Sequence, residues 1–198
     1  MTSNSLDIQV AEDALKFTWG PLWSHFSEVG IGQQAEVNDT SGKQNRYYKW
    51  LYCLVKRLKP SQVVELGAAA GISTIAMALA LPPDSKIISV DINPEAWRWM
   101  KADYNITKVL GDDLDLSIYP KDVDLAKTDL WFIDSLHEGD HLRKELELYK
   151  PFFKPGAVVV LDDIRINDGM LQVWNELPYD KCENTNPNHY PGFGFFTI

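Results

Sequence analysis

The chain has 198 residues, 45% hydrophobic, 24% charged and 12% aromatic, enough for one well-buried core and short for two. Its formal net charge of −9, with no basic run, repels polyanions at long range and argues against nucleic acid as a partner. Only Cys53 and Cys182 carry thiols, which excludes a disulfide framework and points to a reducing cytoplasm; strand-length apolar runs and a start without a signal pattern argue against a membrane.

Residues 1–45 lack sustained periodicity but hold Phe17, Trp19, Trp23 and Phe26 around Gly20-Pro21. They read as a helical or irregular extension that packs on the core or lids a site. Residues 46–198 read as the principal domain. Tyr47, Leu51, Leu54, Val55 and Leu58 share one helical face, which Pro60 ends. Beyond it, strands are expected near 62–66, 86–91, 106–110, 128–133 and 156–161, with helices near 71–80, 94–103, 138–153 and 168–176. A pair near 179–184 and 193–198 reads as a C-terminal antiparallel hairpin. Strand–helix alternation with short connections predicts an α/β fold: a doubly wound, mostly parallel sheet with helices on both faces.

The most informative stretch is Val63-Val64-Glu65-Leu66-Gly67-Ala68-Ala69-Ala70-Gly71-Ile72-Ser73-Thr74, followed by Ile87-Ile88-Ser89-Val90-Asp91. A β-branched strand runs into a small-residue loop and an apolar helix, and a second strand ends on an acid. This is the opening βαβ of a sheet that carries a nucleoside-type ligand across its edge. The glycines allow close backbone approach, and Asp91 can accept hydrogen bonds from both hydroxyls of a ribose. Dinucleotide loops space their glycines Gly-x-Gly-x-x-Gly, whereas Ala69 stands here between Gly67 and Gly71. Glu65 would also repel a pyrophosphate and suits a cationic ligand.

A second constellation closes the next two strands. One ends Ile133-Asp134, with His137 three residues on; the other ends Leu161-Asp162-Asp163, Asp162 lying 28 residues after Asp134. Strand ends share one edge in such a sheet, so Asp134, Asp162 and Asp163 converge near Gly67. Three gathered carboxylates raise one another's pKa values, and a hard divalent cation such as Mg²⁺ relieves them. A competing pattern is His137-Glu138-Gly139-Asp140-His141, which matches the His-Glu-x-x-His of zinc proteases. That chemistry needs both histidines on one continuous helix, and Gly139 sits where a helix only begins. His141 is therefore expected to be a surface or capping residue. An acidic segment, Asp115, Asp122, Asp124 and Asp129, reads as solvated loop and helix caps.

The first motif resembles motif I of the class I S-adenosylmethionine (SAM) methyltransferases. The second resembles the metal-dependent O-methyltransferases of the catechol and macrolide-sugar types. The resemblance spans about residues 46–178 and implies a seven-stranded Rossmann-like sheet, SAM and Mg²⁺ as cofactors, and a small hydroxylated acceptor. It places Glu65 and Ser73 near the methionine end, Asp91 on the ribose, and Asp112 or Asp113 near the adenine amino group. Gly67, Ala68, Gly71, Ile92 and Asp134 complete the implied cofactor set. Asp134, Asp162 and Asp163 are the implied metal ligands and His137 the general base. Histidine rather than lysine at that position favours the sugar branch. Two alternatives stay open: a metal-independent methyltransferase acting on a carboxyl, nitrogen or protein acceptor, and a non-catalytic SAM-binding module. The acceptor and any homo-oligomer are not read from the sequence.

Overall fold

A computed structural model describes residues 2–16, 46–98, 100, 104–186 and 189–198. Phe17, Trp19, Trp23 and Phe26, and with them the expected lid, lie outside the described residues. Helices α1 (Ser3–Lys16) and α2 (Arg46–Leu58) precede β1 (Gln62–Leu66), α3 (Ile72–Ala78), β2 (Lys86–Asp91) and β3 (Ile106–Leu110). Then come β4 (Leu130–Ile133), α4 (Gly139–Tyr149), β5 (Val158–Leu161), α5 (Asp168–Glu176), β6 (Lys181–Asn186) and β7 (His189–Thr197).

The seven strands form one sheet in the order β3-β2-β1-β4-β5-β7-β6. The first five pair in parallel, while β7 runs antiparallel to β5 and to β6. The doubly wound, mostly parallel architecture with its C-terminal antiparallel hairpin is as expected. Its topological switch point lies between β1 and β4, because the chain leaves β1 towards β2 and later returns to β4 on the other side.

Both faces of the sheet are buried, and strand alternation assigns them. Val63, Leu130, Phe132, Val158 and Val160 face one cluster with Leu51 and Leu54 of α2 and Met77 of α3. Val64, Trp131, Ile133, Val159 and Leu161 face the other, with Leu142 of α4 and Trp174 of α5. Helix α1 lies against α2, β6 and β7. It is pinned by the Ser3 hydroxyl, which donates to the Asp180 carbonyl (2.7 Å), and by Arg57, which donates to Asp13 and Gln9.

One expected element differs. Where a helix was anticipated over 94–103, Pro94–Arg98 is turn, and the remainder falls largely outside the described residues. Trp97 has φ 58°, a left-handed value that interrupts any helix. Tertiary contacts hold it there: its backbone N–H donates to Ala69 O (3.0 Å) and its indole N–H to Ser89 Oγ (2.7 Å).

The hairpin fits tightly against α5. A Cβ at Gly194 would stand 2.4 Å from Cη2 of the buried Trp174. Gly194→Ala is expected to cost about 1–3 kcal/mol through overpacking, measured as a lower urea midpoint with an unchanged slope.

Candidate active site

The site begins as an extension of the sheet. Beyond the last paired residues, Gly67 N donates to Val90 O (2.9 Å), Asp134 N to Leu66 O (2.8 Å) and Asp162 N to Ile133 O (3.0 Å). The register therefore sets Asp91, Gly67, Asp134 and Asp162 abreast on β2, β1, β4 and β5. Adjacent strands are about 4.8 Å apart, so three carboxylates and a glycine share one short row. Gly67 must be glycine: its φ is +85°, and a Cβ there would lie 1.9 Å from the Asp134 carbonyl oxygen.

Asp91 Oδ2 accepts hydrogen bonds from Ala68 N (2.9 Å) and Ala69 N (2.7 Å), and Oδ1 accepts from Asn93 N (2.7 Å). This carboxylate thus shapes the small-residue loop as well as ending β2. Gly71, at φ +88°, opens α3. Ile92 lies just beyond Asp91, with its side chain largely exposed.

Glu65 is fully buried, and burial raises its pKa against three hydroxyl bonds that lower it. Ser73 donates to Oε1 (2.7 Å), and Thr74 and Ser89 donate to Oε2 (both 2.5 Å). Ser89 in turn accepts from the Trp97 indole. Glu65 and Ser73 are therefore brought together, within a network that fastens β1 to α3, β2 and the Trp97 turn. Thr74, Ser89 and Trp97 escaped notice in the sequence. A hydroxyl following Ser73 and another at the middle of β2 were the available signals.

Around Asp134 the chemistry concentrates. His137 Nε2 stands 3.1 Å from Asp134 Oδ1, and its Nδ1 stands 3.4 Å from Asp163 Oδ2. One donor atom from each of Asp134, His137 and Asp163 lies within 4.8 Å of the others. Asp162 is buried, and its Oδ1 accepts from Asp163 N (2.8 Å). Asp163 then takes φ 53°, a left-handed turn that Asp tolerates better than most side chains. Enclosure by protein, followed by the Asp162 charge, pushes the Asp134 carboxyl up to about 8. The bond to Asp134 raises the His137 pKa, with burial opposing it. Asn167 positions the loop: its Nδ2 donates to His137 O (2.8 Å) and its Oδ1 caps α5 at Met170 N (2.9 Å).

Asp112 Oδ1 accepts from Leu114 N (2.9 Å) within its own loop, whereas Asp113 turns towards α4. There Asp113 Oδ1 lies 3.0 Å from His141 Nε2. His141 is accordingly partnered and largely enclosed, not the surface or capping residue expected of it. The zinc-protease pattern is split in space, since His137 precedes α4 and joins Asp134 while His141 joins Asp113. Asp115 and Asp124 cap short turns as anticipated, whereas Asp129 is neither solvated loop nor helix cap: it accepts from Ser61 N and Oγ and pairs with Lys154 (2.7 Å).

A family model described as "Methyltransferase domain" matches residues 64–164, just over half of the chain. The chain belongs to this methyltransferase family. It is similar to Catechol O-methyltransferase B of Danio rerio, 25% identical over 143 residues (65% of this chain, 53% of that protein). It is also similar to a Caffeoyl-CoA O-methyltransferase of Stellaria longipes, 32% identical over 73 residues (37% of this chain, 30% of that protein). The chain thus spans about half or less of the length of these relatives. In fold it matches the O-methyltransferase TomG of Streptomyces achromogenes, solved with SAM, at a TM-score of 0.63 and 19% identity (77% and 79% of the two chains). The resemblance drawn from the two motifs named the catechol and macrolide-sugar types together and favoured the sugar branch, whereas these two relatives carry catechol and caffeoyl-CoA names.

The Ser89 hydroxyl serves two buried partners in this methyltransferase domain, so Ser89→Ala leaves Trp97 Nε1 without its acceptor and Glu65 with one donor fewer. The expected cost is about 1–3 kcal/mol of stability, read by chemical denaturation.

Proposed function

We propose that the protein is a SAM-dependent O-methyltransferase acting on a small diol-bearing acceptor, a sugar or a catechol-like ring. Residues 46–198 form its SAM-binding domain and residues 1–45 its extension. The observation that carries this reading is the meeting of Asp134, His137 and Asp163, with Asp134 beside Gly67 at the switch point.

The residues fit both implied groups. For SAM, a loop that approaches Asp134 too closely for any Cβ lies between two strand-end acids, with the exposed Ile92 and Leu136 beside it. Asp91 would hold the ribose, and Asp112 would face the adenine side. Glu65 holds the loop's shape through Ser73 and Thr74. For Mg²⁺, Asp134 and Asp163, which meet with His137, offer oxygen donors such an ion takes, and the buried Asp162, outside that group of three, would complete the expected set.

When bound, SAM supplies a sulfonium-activated methyl group, which the acceptor oxygen takes as the S–C bond breaks and its electron pair stays on sulfur. When bound, Mg²⁺ favours the ionised acceptor hydroxyl, whose unperturbed pKa is otherwise about ten or higher. His137 takes the proton that the hydroxyl loses. Asn167 and Asp134 hold its loop and its ring, so that the imidazole faces the acid cluster. The remaining task of the protein is to align acceptor and methyl carbon.

A second reading of His137 has its own observation. Its Nδ1 and Nε2 stand among the carboxylates at 3.4 and 3.1 Å, a separation that also suits a ligand. The two roles separate in one variant. His137→Ala is expected to lower turnover about 10²–10⁴-fold while SAM and Mg²⁺ affinities stay near wild type; a ligand role instead shows as lost Mg²⁺ affinity. Asp91→Ala is expected to weaken SAM binding about ten-fold or more, through its lost charged hydrogen bonds.

Excess chelator should abolish transfer to a catechol or sugar panel, and added Mg²⁺ should restore it. Full activity in chelator would favour the metal-independent alternative, and SAM binding without turnover on any acceptor would favour the binding module. A cytoplasmic setting is supported by two unpaired cysteines. No described helix is long and apolar enough to cross a membrane.

A further inference from the structure

We propose a second cation site, apart from the strand-end acids, built by Asp113, His141 and Glu145 and suited to a divalent transition metal such as Zn²⁺. His141 and Glu145 lie one turn apart on α4 and so share a face, while Asp113 arrives from the loop after β3. One donor atom from each lies within 4.8 Å of the others. His141 Nε2 is 3.0 Å from Asp113 Oδ1 and 3.9 Å from Glu145 Oε1. Ligands about 2.0–2.2 Å from a tetrahedral ion stand roughly 3.3–3.5 Å from one another, so the observed separations bracket the requirement.

The independent observation is on Glu145. Its side chain is 0% exposed, yet Oε2 is buried with no hydrogen-bond partner. An ion pair between His141 and Asp113 accounts for those two groups, while Glu145 meets Asp113 as one carboxyl against another, a contact that needs either a shared proton or a cation. A buried carboxylate oxygen without a donor is costly, and a cation satisfies it together with its neighbours. The surroundings are those of oriented ligands. Ser135 Oγ donates to Glu145 Oε1 (2.7 Å), and Tyr149 donates to the Asp113 carbonyl (2.5 Å) while sharing a hydrogen bond with Tyr119 (2.8 Å). An imidazole with two carboxylates favours zinc or its neighbours over Mg²⁺, which prefers oxygen alone. An ion here would clip the loop after β3 to α4 and so brace the wall of the cleft.

The test is Zn²⁺ titration of the metal-stripped full chain by calorimetry, with melting followed in parallel. Wild type is expected to take up two equivalents, one at each cluster. Asp134→Asn with Asp163→Asn should leave one, and this remaining zinc should still raise the melting temperature. Glu145→Gln, close in shape, and His141→Ala should each remove the other equivalent, with affinity at this site falling about ten-fold or more. Circular dichroism identifies a variant that fails to fold, and the folded variants then decide. Loss of all bound zinc in the folded Asp134→Asn, Asp163→Asn double variant, or no loss in folded Glu145→Gln, overturns the proposal and leaves a shared proton as the bond between Asp113 and Glu145.

Discussion

Everything at this site depends on the parallel ladder running one residue past the regular strands. Three backbone bonds, from Gly67, Asp134 and Asp162, each reach the last paired carbonyl next door. They convert separate strand endings into one line of functional groups with strand spacing. The line holds only because its second member lacks a side chain, since any Cβ on Gly67 would occupy the Asp134 carbonyl. Backbone geometry therefore decides which acids meet before any side chain chooses a rotamer. The buried faces on either side, Val63 with Phe132 and Val64 with Ile133, hold the register that makes this possible.

Behind that line, the protein invests in polar groups closed to solvent. Glu65 is surrounded by three hydroxyl donors, one of them shared with an indole, so a buried acid becomes a fastener between β1, α3 and β2. A second buried acid, Glu145, joins α4 to the loop after β3, and burial followed by the Asp113 charge pushes it up to about 9. The two histidines around the start of this helix have opposite allegiances. His137 sits ahead of α4 and belongs to the β5 turn, whereas His141 lies within α4 and belongs to the β3 loop. A four-residue spacing that suggests one metal in sequence thus serves two clusters in space.

Much of this was legible in the residues. Continuous apolar runs and the Pro and Gly punctuation placed the strands, and parallel pairing by itself dictates that Asp91, Asp134 and Asp162 end on one edge. What escaped was of two kinds. The turn at Trp97 is held by contacts to Ala69 and Ser89, distant partners that no local propensity reports, and so a helix was expected there. That Asp163 rather than Asp162 meets Asp134 and His137 was equally hidden, because Asp163 stands in a left-handed turn that the sequence does not report. His141 was discounted for the same reason, since its partner lies 28 residues earlier in the chain.

The packing of α1 across β6 and β7 carries a consequence of its own. Strand β6 is one of the two outer strands of the sheet, and an uncovered outer strand is a template on which a second chain can add backbone bonds. The first helix, anchored through Ser3 to the residue just before that strand, packs Leu6 and Val10 into the cluster that holds Phe193 and Phe195 of the neighbouring β7. A form of the protein deprived of it would bare that apolar face beside an outer strand, a surface on which chains aggregate.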